Sequence, residues 1–307
     1  MNAWLRNVTL TFVLAWALAP TAAVGGEPGD AGALFLRVGV GARAAAMGEA
    51  FIAVAQDASA LYWNPAAMSP VLGTNVVLQH TEHFQSVRLE QAMLTHETDW
   101  GTLGLGFTGN YMDDLERRDN FPSAVPLGDF SVYDVAFLVG FSRYVTPNLA
   151  AGVTVKPIYE RIDDISASGV AVDAGVYHVS QIKGVNFAAV VGNVGSPMKF
   201  DAEEFALPRY VKVGASLTRD VEAIRGGVLA TTDIVFPNDG DARIHLGVEG
   251  NYLRRFFLRA GFKAGYESQG ATFGLGVSRR RFGVDYAFLL IDNDLGNSHR
   301  FSLALSL

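Results

Sequence analysis

The last nine residues of the chain, 299–307, alternate between large apolar side chains and small or polar ones. The apolar positions are Phe301, Leu303, Leu305 and Leu307, and the positions between them are Arg300, Ser302, Ala304 and Ser306. A period of two residues predicts a β-strand with one apolar face. Such a strand can pair with an early strand and close a sheet, and closure satisfies the backbone groups that lipid leaves without water. We therefore predict a transmembrane β-barrel.

The same alternation recurs from residue 74 onward and predicts an all-β fold. In Gly101–Met112, for example, Leu103, Leu105 and Phe107 share one face. Fourteen strands are predicted, at 74–84, 88–97, 101–112, 130–144, 149–161, 169–178, 185–194, 209–217, 227–235, 241–251, 256–267, 270–279, 282–290 and 299–307. An even number is typical of antiparallel bacterial outer-membrane barrels. Because the first two and the ninth segments alternate weakly, 12 or 16 strands remain alternatives.

The lengths of the predicted connections alternate as well. The connections 113–129, 162–168, 195–208 and 291–298 are long or rich in Asp, Asn, Pro and Gly, whereas those at 98–100, 146–148 and 253–255 have three residues. Short turns on one side and longer loops on the other are typical of transmembrane barrels. A soluble β-sandwich is the alternative, but a sandwich gives no reason for short and long connections to alternate.

Residues 1–25 are predicted to be a secretory signal peptide. Arg6 lies in a short polar start, Val8–Ala19 is apolar, and small residues follow Pro20. The apolar run is too short to span a bilayer comfortably, although an N-terminal anchor helix is the alternative. Together with the barrel, this predicts export to a cell outer membrane of the Gram-negative type after cleavage.

Composition narrows the class of protein further. The 307 residues include 33 Gly and no Cys, 18% are charged, and the net charge is −7. The absence of Cys excludes a disulfide scaffold, thiol catalysis and thiolate metal sites. The negative charge argues against nucleic acid as a partner.

Residues 26–72 do not alternate, and they are predicted to form a short helical hatch before a barrel at 73–307. Asp57 is predicted to cap a helical turn, and Pro65 to open a second turn at its first position. Side chains alone fill a barrel of about eight strands, whereas 16–18 strands leave a channel. A 14-stranded barrel therefore requires an occupant, and the alternative is a periplasmic cap outside it. The predicted hatch residues are Asp57, Ser59, Trp63, Asn64, Pro65 and Ala66.

Polar residues on the small-residue faces of the strands are predicted to line the lumen. They are Asp134, Lys156, Lys212, Arg243, Glu249, Arg259, Lys263 and Asp285. Glu249 and Arg259 flank the three-residue connection around Arg254, so they are predicted to face each other across neighbouring strands. Asn64 is expected to bond the wall of the lumen through its side-chain amide.

The stretches Val38–Gly48 and Ala53–Met68, the latter with Asp57 and Asn64-Pro65-Ala66, resemble the N-terminus of PorV/PorQ-family proteins. Those proteins are relatives of the FadL-type outer-membrane transporters. The resemblance covers essentially the whole mature chain and implies a 14-stranded barrel with an N-terminal hatch in the lumen. The chain departs from the family at Glu49, where a second Gly is usual, and it ends in Leu307 rather than an aromatic residue. Its predicted loops are also short for the PorV subunit of the type IX secretion system.

No arrangement of residues predicts catalysis, a metal site or a cofactor. None of the six His residues lies in an H-E-x-x-H pattern, and Asp292–Gly296 is read as a turn rather than a Ca²⁺ loop because a distal Glu is missing. Two functions remain: gated passage of hydrophobic or amphipathic small molecules, or a cargo-shuttle or scaffold role in a type IX secretion system. The expected partners are outer-membrane lipid, the barrel assembly machinery, and either a hydrophobic ligand or secretion-system subunits and cargo.

Overall fold

A computed structural model describes residues 31–82, 87–121, 125–201, 203–291 and 297–307. The predicted signal peptide and the turn at 292–296 lie outside these residues. The strands are β1 (Thr74–Glu82), β2 (Arg88–Thr98), β3 (Gly101–Arg117), β4 (Gly128–Thr146), β5 (Leu149–Ile162), β6 (Ile165–Val179), β7 (Val185–Gly195), β8 (Met198–Phe200), β9 (Glu203–Phe205), β10 (Tyr210–Val221), β11 (Gly226–Pro237), β12 (Arg243–Tyr252), β13 (Phe256–Ala264), β14 (Gln269–Arg279), β15 (Phe282–Ile291) and β16 (Ser298–Ser306).

Fourteen of these strands form a closed antiparallel barrel, which confirms the predicted β-barrel and its strand number. Each strand of the barrel pairs with the barrel strand that follows it along the chain, so that β7 pairs with β10. β1 pairs with β16 and closes the sheet. Strands β8 and β9 form a separate two-stranded hairpin within the connection from β7 to β10. The predicted closure by the C-terminal strand is therefore confirmed.

The helices within the described residues are short, and most of them lie before β1. They are the α-helices Ala42–Ala46 and Ala60–Trp63 and the 3₁₀-helices Leu34–Arg37, Pro65–Met68 and Glu222–Ile224. In the part of the chain that the structure describes, none of the helices has the length and apolar character needed to cross a membrane.

The two ends of the barrel differ in their connections. We call the end with Thr74, Ser306 and tight turns such as Asp99-Trp100 the turn end, and the opposite end the loop end. Two predicted loops at the loop end are wrong in length. β3 extends to Arg117 and β4 already begins at Gly128. Only Asp163 and Asp164 separate β5 from β6. Continued pairing across these hairpins satisfies backbone groups that a loop would leave to water.

The turn between β12 and β13 fixes the register of these two strands, which carry Glu249 and Arg259. Leu253 and Arg254 both have positive φ, and the Arg255 N–H donates to the Tyr252 carbonyl. Positive φ at both central residues is typical of the type I′ turn, whose twist matches that of the flanking strands. The resulting register places Glu249 directly opposite Arg259, as predicted.

Tyr266 shows where the alternation was extrapolated too far. In the predicted strand 256–267, Tyr266 shares the outward face with Leu258 and Phe262, but β13 ends at Ala264 and Gly265 has φ +85°. The chain turns there, and the Tyr266 hydroxyl lies 2.8 Å from Nε2 of the inward-facing His245. The prediction for Tyr266 is therefore wrong.

Candidate functional site

The segment of residues 31–72, here called the N-terminal segment, packs against strands on several sides of the barrel. Most of its side chains between Val40 and Met68 are fully buried. Its helices contact strands on opposite sides of the barrel: Ala42–Ala46 lies against β13 to β16, and Pro65–Met68 lies against β3 to β6. These contacts fit a segment inside the barrel better than an external cap.

Glycines in the wall allow the segment to approach closely. A Cβ atom added at Gly152 of β5 would lie 2.5 Å from the Pro65 carbonyl carbon and 2.6 Å from the Ala66 nitrogen. One added at Gly261 of β13 would lie 2.0 Å from the Gly48 nitrogen. Because the obstructing atoms belong to backbone, no side-chain movement relieves these clashes. The small inward faces seen in the sequence are therefore the surface on which the segment packs.

The first predicted hatch helix begins later than expected. Ser59, not Asp57, is the N-cap of Ala60–Trp63, so the predicted cap is displaced by two residues. The Asp57 carboxylate instead accepts hydrogen bonds from the backbone N–H and the hydroxyl of Ser59, the former at 2.8 Å. Short polar side chains favour such local turns as well as caps, so the residue type alone did not separate the two roles.

Asn64 connects the segment to the wall, as predicted. Its Nδ2 donates to the carbonyl oxygens of Ile52 and of Val176 on β6, at 3.2 and 3.1 Å. Its Oδ1 accepts from the Ala66 N–H at 3.1 Å and so caps the 3₁₀-helix Pro65–Met68, of which Pro65 is the first residue. Trp63 Nε1 donates to the Val40 carbonyl at 2.7 Å, which joins two parts of the segment.

An ion cluster ties the segment to β12, β13 and β15. Glu249 accepts from Arg43 of the segment and, at 2.6 Å, from Arg259 Nε. Arg259 Nη1 also donates to Asp285 at 2.6 Å. The predicted contact between Glu249 and Arg259 is confirmed. The part played by Arg43 was missed, because nothing local to residue 43 indicates a partner 206 positions away.

A second cluster is centred on Glu49, which the sequence marked only as a departure from a family pattern. Lys263 Nζ lies 2.6 Å from Glu49 Oε2, and Arg300 Nη1 lies 3.2 Å from Oε1. Burial opposes ionisation of this carboxyl, yet the ammonium of Lys263 and the guanidinium of Arg300 hold the pKa of Glu49 well below its usual range. Glu49 is therefore an anion that holds the segment against two strands.

Other predicted lining residues have polar or aromatic partners. Lys156 is buried and pairs with Asp173 at 2.7 Å, and Asp134 accepts from Asn110 at 2.9 Å. The Lys212 ammonium lies over the rings of Trp63 and Tyr210, and the Arg243 guanidinium lies over the ring of Tyr266. Asp233 was missed: its carboxylate accepts from the backbone N–H groups of Phe51 and Ile52, at 2.8 and 3.2 Å.

A cavity of about 330 Å³ lies at the loop end, between the N-terminal segment and the wall. The segment contributes Leu34, Leu36, Arg37, Val38, Glu49 and Tyr62, and the wall contributes Tyr210, Lys212, Val235, Pro237, Arg243, His245, Lys263, Tyr266, Gln269 and Arg300. Its volume is at the lower limit for small-molecule sites in proteins. Across the described ranges, no group of three or more His, Cys, Asp or Glu side chains could hold a metal ion.

Comparisons with known proteins identify the fold. The Pseudomonas putida toluene transporter TodX superposes with a TM-score of 0.60 at 14% identity, covering 87% of this chain and 96% of TodX. The deltaS2S3 mutant of TodX, described as a monoaromatic hydrocarbon channel, gives 0.57 at 12% identity, covering 87% and 97%.

No family model matches the chain, and no curated protein matches it. The fold is therefore established by structural likeness, at identities too low to carry function. The two similar structures are described as a toluene transporter and a monoaromatic hydrocarbon channel. The chain has the barrel fold of TodX.

Proposed function

We propose that this protein is an outer-membrane barrel of FadL-like, PorV/PorQ type, in which the N-terminal segment is a hatch that gates passage of hydrophobic or amphipathic small molecules. The observation that supports the proposal is the contact of that segment with strands on opposite sides of a closed 14-stranded barrel. A barrel of this size without an occupant has more interior space than its own side chains fill.

The outward face of the wall supports a lipid environment. Outward positions carry large exposed apolar residues on strands around the whole barrel, such as Leu105, Phe137, Leu258, Leu275 and Phe301. In water such a surface would favour aggregation, whereas in a bilayer it is solvated by acyl chains. Insertion by the barrel assembly machinery and cleavage of the predicted signal peptide would place the turn end in the periplasm.

The contacts of the segment suit a gate. Hydrogen bonds and ion pairs hold it on several sides, among them those of Asn64, Arg43 and Glu49. Polar contacts of this kind can be exchanged for contacts with water or ligand when the segment moves. The transport named for the similar structures, of toluene and of monoaromatic hydrocarbons, makes a hydrophobic or amphipathic cargo the first to test.

The test is deletion of residues 35–66 and measurement of conductance in planar bilayers. The truncated barrel is expected to conduct small ions, and the intact chain to stay closed. Heat-modifiable migration on gels verifies that both proteins are folded, because a closed barrel resists detergent unfolding. A truncated protein that folds and is as tight as the intact one would remove the gate from the proposal.

A scaffold or cargo-shuttle role in type IX secretion is the second candidate. The observation in its favour is the β3–β4 hairpin, whose described end exposes Phe121, Val125 and Leu127 to solvent. Exposed apolar side chains at the end of a hairpin suit contact with another protein. The first test is whether the same genome encodes secreted proteins with type IX sorting domains. Their absence would exclude this candidate.

A further inference from the structure

The loop-end cavity has an unusual balance of charge for the interior of a barrel. Five cationic side chains line it, Arg37, Lys212, Arg243, Lys263 and Arg300, against one carboxylate, Glu49. Arg37 pairs with Asp239, and Lys263 and Arg300 share Glu49. The cations left over are half-buried beside the cavity, so an anion that enters the cavity can pair with them.

Lys212 and Arg243 are those remaining cations. Within the described ranges, neither has a carboxylate at salt-bridge distance. Lys212 Nζ lies instead 4.9 Å from the ring centre of Trp63 and 5.0 Å from that of Tyr210, and the Arg243 guanidinium lies 4.5 Å from that of Tyr266. Asp233 of the neighbouring strand β11 accepts from two backbone N–H groups of the segment through Oδ2, and its charge acts on Lys212 only from beyond salt-bridge distance. Aromatic faces hold a cation in position without neutralising it.

We infer that this cavity is a binding site for a compact aromatic carboxylate, with the carboxylate between Lys212 and Arg243. Guanidinium and ammonium groups both bind carboxylates strongly, and the guanidinium of Arg243 can do so through two parallel hydrogen bonds. The rings of Tyr62, Tyr210 and Tyr266, with Leu36, Val38 and Val235, supply the apolar contact for a ring.

The size of the cavity selects a short ligand over a long acyl chain. Its volume is about 330 Å³, and the part of the segment below it is tightly packed: Phe51, Ile52 and Trp63 are at most 2% exposed. An extended chain would therefore have to displace the packed core of the segment, whereas a single ring with a carboxylate would not.

The cavity can be reached from the loop end with the segment in place. Leu34 is 55% exposed, and the side chain of Arg37 retains 28% of its accessible surface. The inference rests on the proposed passage function for its biological meaning, since it names the class of molecule that would enter. Its test measures binding to the intact, closed protein and needs no bilayer, so it can fail independently of the conductance experiment.

Trp63 provides the signal for that test. Trp4 and Trp16 lie in the predicted signal peptide, so a Trp100→Phe variant of the mature protein retains Trp63 as its one tryptophan. Benzoate added to this variant in detergent is expected to change Trp63 fluorescence saturably, with an affinity that falls as salt is raised. Two other ligands are compared with benzoate: benzyl alcohol has the ring without the charge, and decanoate has the charge on a long chain. Both are expected to bind at least about tenfold more weakly, which corresponds to about 1.4 kcal/mol of binding free energy.

Lys212→Met and Arg243→Met, each in the Trp100→Phe background, are expected to weaken benzoate binding about tenfold, because each removes a charge-assisted hydrogen bond. Arg254→Met removes an exposed cation from the turn end and is the matched control, with no change expected. If Lys212→Met fails to fold, Arg243→Met and the salt dependence of the parent variant decide. No saturable benzoate signal, equal binding of benzyl alcohol, or tighter binding of decanoate would each overturn the inference.

Discussion

The guanidinium of Arg43 binds the carboxylate of Glu249 through two hydrogen bonds, with Nε–Oε2 and Nη2–Oε1 distances of 2.8 and 2.9 Å. The first residue belongs to the N-terminal segment and the second to β12, so this pair joins the occupant of the barrel to its wall. Glu249 also accepts from Arg259, which makes it the shared anion of two cations.

Removal of that anion should destabilise the folded protein strongly. Glu249→Ala leaves Arg43 without its carboxylate partner, while Arg259 keeps Asp285. The expected loss is about 3–5 kcal/mol of unfolding free energy, as for buried pairs broken from one side. Urea titration followed by gel migration measures it.

Two further variants separate a buried-charge effect from general damage. Glu249→Ala combined with Arg43→Met should recover part of the loss, because Arg259 keeps Asp285 and no cation of the cluster is then left without a carboxylate. Asp220→Ala breaks an exposed pair with Arg254 and should cost less than about 1 kcal/mol. Equal stability of Glu249→Ala and of the double variant would contradict the prediction.

Gly152→Ala should loosen the segment and make the intact chain leak. The added methyl group meets the backbone of Pro65 and Ala66, so the 3₁₀-helix Pro65–Met68 has to move away from β5. Planar-bilayer conductance is the measurement. Gly250→Ala on β12 is the matched control, since an added Cβ there meets no atom within 4 Å. Leakage that is the same in both variants would show that the close approach at Gly152 does not hold the segment.

Asn64→Asp should destabilise the protein more than Asn64→Ala. Both remove the amide donor to Ile52 and Val176, but the aspartate also turns a carboxylate oxygen toward those two carbonyl oxygens in a fully buried position. Burial of an unpaired charge costs more than loss of the amide. The comparison is the urea midpoint of each variant, and a higher midpoint for Asn64→Asp would contradict it.

Glu49 should make stability depend on pH in the acid range. Its pKa is lowered in the folded state, so its contribution is complete above the unfolded value, about 4.3, and is lost as pH falls through the folded value. The stability difference between the natural chain and Glu49→Gln should therefore be largest near neutral pH and shrink below about pH 4. A difference that stays constant between pH 7 and pH 3 would show that this ionisation does not stabilise the fold.

The strands of the barrel wall could be predicted from the sequence because the pattern that specifies each strand lies within that strand. Each strand meets an apolar environment on one face and the segment on the other, so side chains alternate with a period of two. The pair Glu249–Arg259 was also predictable, because one turn sets its register. The same reasoning failed at Tyr266, where Gly265 ends the extended backbone and the period no longer applies.

The partners of the interior were decided only by the tertiary structure. Arg43 meets Glu249, and Glu49 meets Lys263 and Arg300, across more than 200 positions of sequence. No local pattern encodes such contacts, because they form only when the sheet closes and brings the inward faces of distant strands around one segment. The sequence by itself determined a closed wall with a small, polar inner face and a non-alternating segment before it. Closure decided which inner-face charges the segment satisfies and which, at Lys212 and Arg243, it leaves without a carboxylate in the described structure.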